Sequence, residues 1–113
     1  MSKRYHAHIY LHPGQRAQVE AVVGPLSPLW HDHPVGPHPL PMVTLRFNEA
    51  EREGLIRRIV PGLEGVSILI HEDSGNDLVD HTTGAEWIGA PVALDFTHFE
   101  RIRDEKSFEV FPE

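Results

Sequence analysis

Apolar and polar positions alternate with period two from Tyr5 to Leu11, which predicts a strand with Tyr5, Ala7 and Ile9 on one face and His6, His8 and Tyr10 on the other. Pro13-Gly14 ends it. From Gln15 to Val23 the period changes to that of a helix, with Val19, Val22 and Val23 on one side and Gly24-Pro25 as a stop. The six prolines between Pro25 and Pro41 leave room for a short strand around Leu29 to His31 and then a long turn. Alternation returns at Met42 to Phe47, where Val43, Leu45 and Phe47 oppose Met42, Thr44 and Arg46. Pro39 and Pro41 keep that ladder from starting earlier, because proline has no N–H to give it. Asn48, with Glu51 three residues on, has the pattern of a capping box ahead of a second helix carrying Leu55, Ile56, Ile59 and Val60. Pro61-Gly62 closes that helix. Val66 to His71 is a further strand, with Val66, Ile68 and Ile70 opposite Ser67, Leu69 and His71.

The order β-α-β-β-α-β predicts a ferredoxin-like α+β domain, an antiparallel sheet with both helices on one face and the first strand between the third and the fourth. The more apolar faces meet the helices. His6, His8, Tyr10, Met42, Thr44, Arg46, Ser67, Leu69 and His71 are then left on the other face. So large a semi-polar face calls for a cover, which we expect from a second subunit, the C-terminal segment or both. Beyond His71, the sequence EDSGND reads as a turn-rich acidic loop, Leu78 to Trp87 as a short helix and Val92 to Phe96 as a fifth strand. We read residues 1–113 as one domain, with 97–113 as a C-terminal tail.

Composition sharpens this picture. Ten Lys+Arg against seventeen Asp+Glu give a formal net charge of -7, which removes the electrostatic footprint expected of a nucleic-acid or anionic-membrane binder. No apolar run reaches the ~20 residues of a membrane span, and MSKRYHAHIY lacks the apolar core of a signal peptide, so a cytoplasmic protein is expected. Cysteine is absent, which excludes disulfides, thiolate metal sites and a cysteine nucleophile. Nor is there a GxGxxG, Walker or nucleophile-elbow motif. What stands out is nine histidines, six of them before residue 39, where fixed charge is sparse. Most of the acid lies in the second half, away from the predicted imidazole face.

His6 and His8 project from the same strand face about 7 Å apart, so they present two imidazoles to one small volume. His71 ends the strand on one side of them, and His38 precedes the strand on the other. Because both neighbours run antiparallel, His71 belongs near the start of the first strand and His38 near its end, roughly 13 Å apart over four residues. His8 sits between. One ion is within reach of His8 with His71, or of His8 with His38 if the proline-rich turn folds inward; all three together require that turn to bend over the sheet. His81 is a ligand, a proton shuttle or a cap, and Glu72, Asp73 or Asp77 would complete a site of two histidines and a carboxylate. Arg46 has a planar fork suited to a substrate carboxylate or to an ion pair with the C-terminal acids. His12, His33 and His98 read as solvated. Trp30 and Trp87 read as core or interface residues.

YHAHIY at 5–10, WHDHPVGPHP at 30–39, VSILIHEDSGNDLVDH at 66–81 and the AEWIG that follows resemble the DOPA 4,5-dioxygenase family of small extradiol ring-cleaving enzymes, over about residues 5–96. The family's histidines match His6, His8, His31, His38, His71 and His81. A further histidine that often follows is Gly84 here, and many members carry a basic residue in place of His33 and proline in place of Glu72. The resemblance implies a homodimeric α+β barrel, a non-haem Fe(II) centre and a catechol substrate such as DOPA, with zinc or nickel as possible stand-ins in a crystal.

Extradiol cleavage needs neutral nitrogen ligands, open metal positions for the diol and O2, and a group that moves a proton near neutral pH. On this basis His8, His38 and His71 are the expected metal ligands, and His81 or His6 the acid–base group. Tyr10, Leu40, Met42, Arg46 and His31 are expected to hold the substrate. Two other classes compete with the enzyme: a non-catalytic dimer that binds a metal or small aromatic ligand, and a structural dimer with a pH-sensitive histidine interface.

Overall fold

The structure is a computed structural model, and it describes residues 3–97. Its elements are β1 (Arg4–Tyr10), α1 (Arg16–Val23), β2 (Leu29–His31), β3 (Met42–Asn48), α2 (Glu49–Ile59), β4 (Ile68–Glu72), α3 (Asp77–Asp80) and β5 (Glu86–Ile88). Short 3-10 turns at Gly24–Leu26 and Val60–Gly62 follow the two longer helices, where the Gly-Pro and Pro-Gly pairs stand. The strands form one antiparallel sheet of order β2-β3-β1-β4-β5, compatible with a ferredoxin-like fold. β1 lies between β3 and β4, as its pattern requires.

Period-two alternation sorts the two faces. Ala7, Ile9, Val43, Leu45, Phe47, Ile68 and Ile70 bury one face against Val19 and Val23 of α1 and Ile59 of α2, which forms the main core. The α2 capping box is complete: the Asn48 side chain accepts from the Glu51 N–H, and the Glu51 carboxylate accepts from the Asn48 N–H, each at 3.0 Å. Substituting such a cap typically costs about 1 kcal/mol.

Two elements after His71 differ from expectation. The helix expected over Leu78 to Trp87 stops at Asp80. Gly84 turns the chain back, its N–H bonding to the Val79 carbonyl at 2.8 Å, so that Trp87 joins a strand opposite Leu69. The aromatic ring is better buried on the pleated surface than on a four-residue helix. Val92 to Phe96, expected as the fifth strand, is irregular. Val92 and Leu94 nevertheless pack on Tyr10, Met42 and Leu69, and the Asp95 N–H reaches the Pro37 carbonyl at 2.7 Å. This chain therefore covers part of the second sheet face itself, with its own residues between Val35 and Leu94. His98 and the rest of the tail lie outside the described residues.

Candidate metal centre

The strand register lays out the imidazole-bearing part of the second face in rows. Thr44 and Leu69 flank His8; Arg46 and His71 flank His6. Cross-strand neighbours are close enough for their side chains to touch. His8 and His71, one row apart on adjacent strands, bring their Nε2 atoms to 2.9 Å.

The proline-rich turn does bend over the sheet. Val35 and His38 form an isolated bridge, the His38 N–H donating to the Val35 carbonyl at 2.9 Å, and Gly36 between them has φ 56, a left-handed value that glycine takes without strain. This turn buries His38, with ring centroids 4.2 Å from His8 and 5.1 Å from His81. From the other side comes His81, the C-cap of α3, 4.4 Å from His71. His6 completes the group at 5.7 Å from His8 and 5.3 Å from His71. Five imidazoles from four separate segments thus share one volume.

Four of the five rings are held by their Nδ1 atoms. The Nδ1–H groups of His71 and His81 donate to the carbonyls of Glu72 and Asp77, at 2.9 and 2.7 Å. His8 Nδ1 lies 3.0 Å from Thr44 Oγ1, and His38 Nδ1 lies 2.7 Å from the Tyr10 hydroxyl. A carbonyl oxygen only accepts, so neutral His71 and His81 carry their proton on Nδ1 and leave Nε2 with a lone pair. Orienting bonds of this kind fix the tautomer of metal-binding imidazoles. Burial is the largest influence on His6, His8, His71 and His81 and lowers the basicity of all four, most strongly for His8, where the other imidazoles add to the effect. Rings kept neutral by burial, with Nε2 lone pairs fixed on His71 and His81, are what a divalent cation requires, so these residues fit a metal.

Among the described residues two triads have ligand atoms within 4.8 Å of one another: His6, His8 and His71, and the buried His8, His38 and His81. His8 belongs to both. Of the expected ligands, His71 falls in one triad with His8 and His38 in the other. Neither triad includes a carboxylate. Glu72, Asp73 and Asp77 are outside both, although Asp73 and Asp77 line the cavity beside the imidazoles. The acidic loop is thus not remote from the imidazole face, as its place in the sequence suggests: Asp80 is buried and accepts from the Ser74 N–H and hydroxyl at 3.0 and 2.6 Å, which folds the loop over the end of β4.

The cavity has a volume of about 420 Å³, and His31, Met42 and Arg46 line it together with the five imidazoles. Tyr10 does not. It is fully buried, stacked on Trp87 at 5.9 Å, and reaches the site only through its bond to His38. Leu40 packs in the same satellite core. His12 and His33 are exposed. Thr44 was legible only as an open-face residue; its position opposite His8 in the register is the signal that marks it as that ring's partner.

The fold and the site together define a small α+β protein with a cluster of imidazoles that could hold a metal ion beside a ligand-sized cavity. The Dopa 4,5-dioxygenase family model matches residues 5–98, and the chain belongs to that family. It is also similar to a crystal structure of a candidate dioxygenase from Nostoc punctiforme, with 28% sequence identity, coverage of 89% of this chain and 94% of that one, and a TM-score of 0.73. A search of curated proteins returns no significant match. The protein is therefore of a dioxygenase kind. Among the described residues no helix is long and apolar enough to cross a membrane.

Proposed function

We propose that this chain is an extradiol dioxygenase that opens the ring of a DOPA-like catechol with O2 at a histidine-bound Fe(II). The carrying observation is the convergence of Nδ1-anchored imidazoles on one volume beside the cavity. In the reaction the carbon–carbon bond next to the diol breaks, both oxygen atoms enter the product, and the ring becomes an open-chain hydroxy semialdehyde acid. Bound Fe(II) would supply open positions at which the diol and O2 meet.

Burial and orienting bonds support His8, His38 and His81 as the ligand set, with His71 as a fourth donor within reach of His8. This moves His81 from the acid–base role expected of it to the metal. His6 keeps that role. It is half-buried, no hydrogen bond to its ring is found among the described residues, and burial favours its neutral form, so it has a lone pair to take a diol proton and return it as the ring opens. Met42 and His31 would flank the ring, and Arg46 would meet a substrate anion at the rim. The same reading includes a cytoplasmic homodimer whose second sheet closes the barrel over this face; equilibrium sedimentation tests the dimer.

The test is anaerobic loading with Fe(II) followed by oxygen-electrode and absorbance measurements with DOPA and simpler catechols. Stoichiometric oxygen uptake with a yellow ring-opened product is expected. Tight catechol binding without uptake would leave the non-catalytic binding protein as the better account.

A further inference from the structure

A second cavity, of about 510 Å³, adjoins the first and shares His6, Arg46 and Asp73 with it. The register explains its character. One row beyond Arg46, His6 and His71 on the same face stand Asn48 and Arg4, and the Asp73 N–H bonds to the Arg4 carbonyl at 2.7 Å. Alternate residues on a strand face are about 7 Å apart. The face thus runs from imidazole at His8, through His6 and Arg46, to fixed charge at Arg4.

The two guanidinium groups are the distinctive feature of this cavity. Among the described residues Lys3, Arg16, Arg52 and Arg57 enter ion pairs, whereas Arg4, Arg46 and Arg58 do not, and of these three only Arg4 and Arg46 line this cavity. Of the two acids that line the same cavity, Glu51 already accepts from the Asn48 N–H as half of the capping box. Two cations that converge on a cavity beside a proposed ring site offer planar, bidentate recognition to a carboxylate.

We propose that this second cavity receives the ring substituent of the substrate, and that Arg4 and Arg46 are specificity-determining residues selecting a catechol whose short side chain ends in a carboxylate. The inference rests on the catechol reading above and adds where the substituent goes and what reads it. A row spacing of about 7 Å matches a chain of two or three atoms between the ring and its carboxylate. His6, common to both cavities, stands between the ring and the anion.

The test compares 3-(3,4-dihydroxyphenyl)propionate, 4-ethylcatechol and 2-(3,4-dihydroxyphenyl)ethylamine by anaerobic calorimetry on the full chain loaded with Fe(II). The wild type is expected to bind the carboxylate compound about tenfold more tightly than 4-ethylcatechol, the size of a charge-assisted hydrogen bond. Arg46→Gln and Arg4→Gln should each reduce that ratio severalfold, with Arg46→Lys retaining part of it. Equal binding of the acid and the neutral compound by the wild type, preference for the amine, or an unchanged ratio in both glutamine variants overturns the assignment. Preference for the acid without oxygen uptake upholds the subsite while overturning ring cleavage.

Discussion

His8 and His71 face each other across β1 and β4 with their Nε2 atoms 2.9 Å apart, and His71 is already committed to donating from Nδ1 to the Glu72 carbonyl. Its Nε2 is therefore an acceptor when neutral. Two inward lone pairs at this separation repel, so the contact is satisfied either by a proton carried on His8 Nε2 or by a cation between them. Metal and proton thus compete for the same atoms. The consequences of that competition are measurable.

Without metal, the protein should lose stability as the pH falls. His6, His8, His71 and His81 all have folded-state pKa values lowered below the ordinary 6.5, so below that value the unfolded chain binds more protons than the folded one. Their contribution is fully present above about pH 6.5 and is lost progressively as the pH drops toward the lowered values. Urea unfolding between pH 5 and 8 should show a midpoint that falls below neutrality. A flat midpoint would contradict the burial of these rings.

Removing the Tyr10 hydroxyl should weaken metal binding without opening the cavity. Tyr10→Phe deletes the 2.7 Å bond that fixes His38 while leaving the stack on Trp87, and loss of such an orienting partner typically costs 10–100-fold in metal affinity. Calorimetric titration with a divalent metal checks this. An unchanged affinity would exclude His38 from the ligand set.

Thr44 tests the same logic on the opposite side of the cluster. Thr44→Val keeps the shape of the side chain but removes the partner of His8 Nδ1, and should cost about 1 kcal/mol of folding stability together with roughly tenfold in metal affinity. Thr44→Ser should retain most of both. Identical losses in the two variants would point to packing rather than to the hydrogen bond.

The acidic loop is held by one buried carboxylate. Asp80→Ala leaves the Ser74 N–H and hydroxyl without their acceptor and should destabilise the fold by about 1–3 kcal/mol. It should also loosen the His81 side of the site. Thermal unfolding and metal titration of this variant report the two effects separately, and unchanged values in both would overturn the anchoring role.

Most of the fold was legible because strand faces repeat with period two: the positions of Ala7, Val43 and Ile68 on one face and of His6, His8 and His71 on the other follow from alternation alone. What alternation does not carry is how the loops close. His38 reaches His8 through a turn that depends on Gly36 and on the Tyr10 hydroxyl, two features with no periodic signal. Asp73 and Asp77 come to the cavity because Asp80 ties their loop down, a contact made within the loop itself. Trp87 and the Val92 to Leu94 segment cover Tyr10, which converts that expected ring contact into part of a satellite core, while Met42 still lines the cavity.

An anomalous-difference map from crystals loaded anaerobically with Fe(II) tests the metal centre most directly. The account predicts a single strong peak about 2.0–2.3 Å from His8 Nε2, with at least two further imidazoles of the cluster in its coordination shell. The absence of density at His8 from crystals that bind iron elsewhere would contradict it.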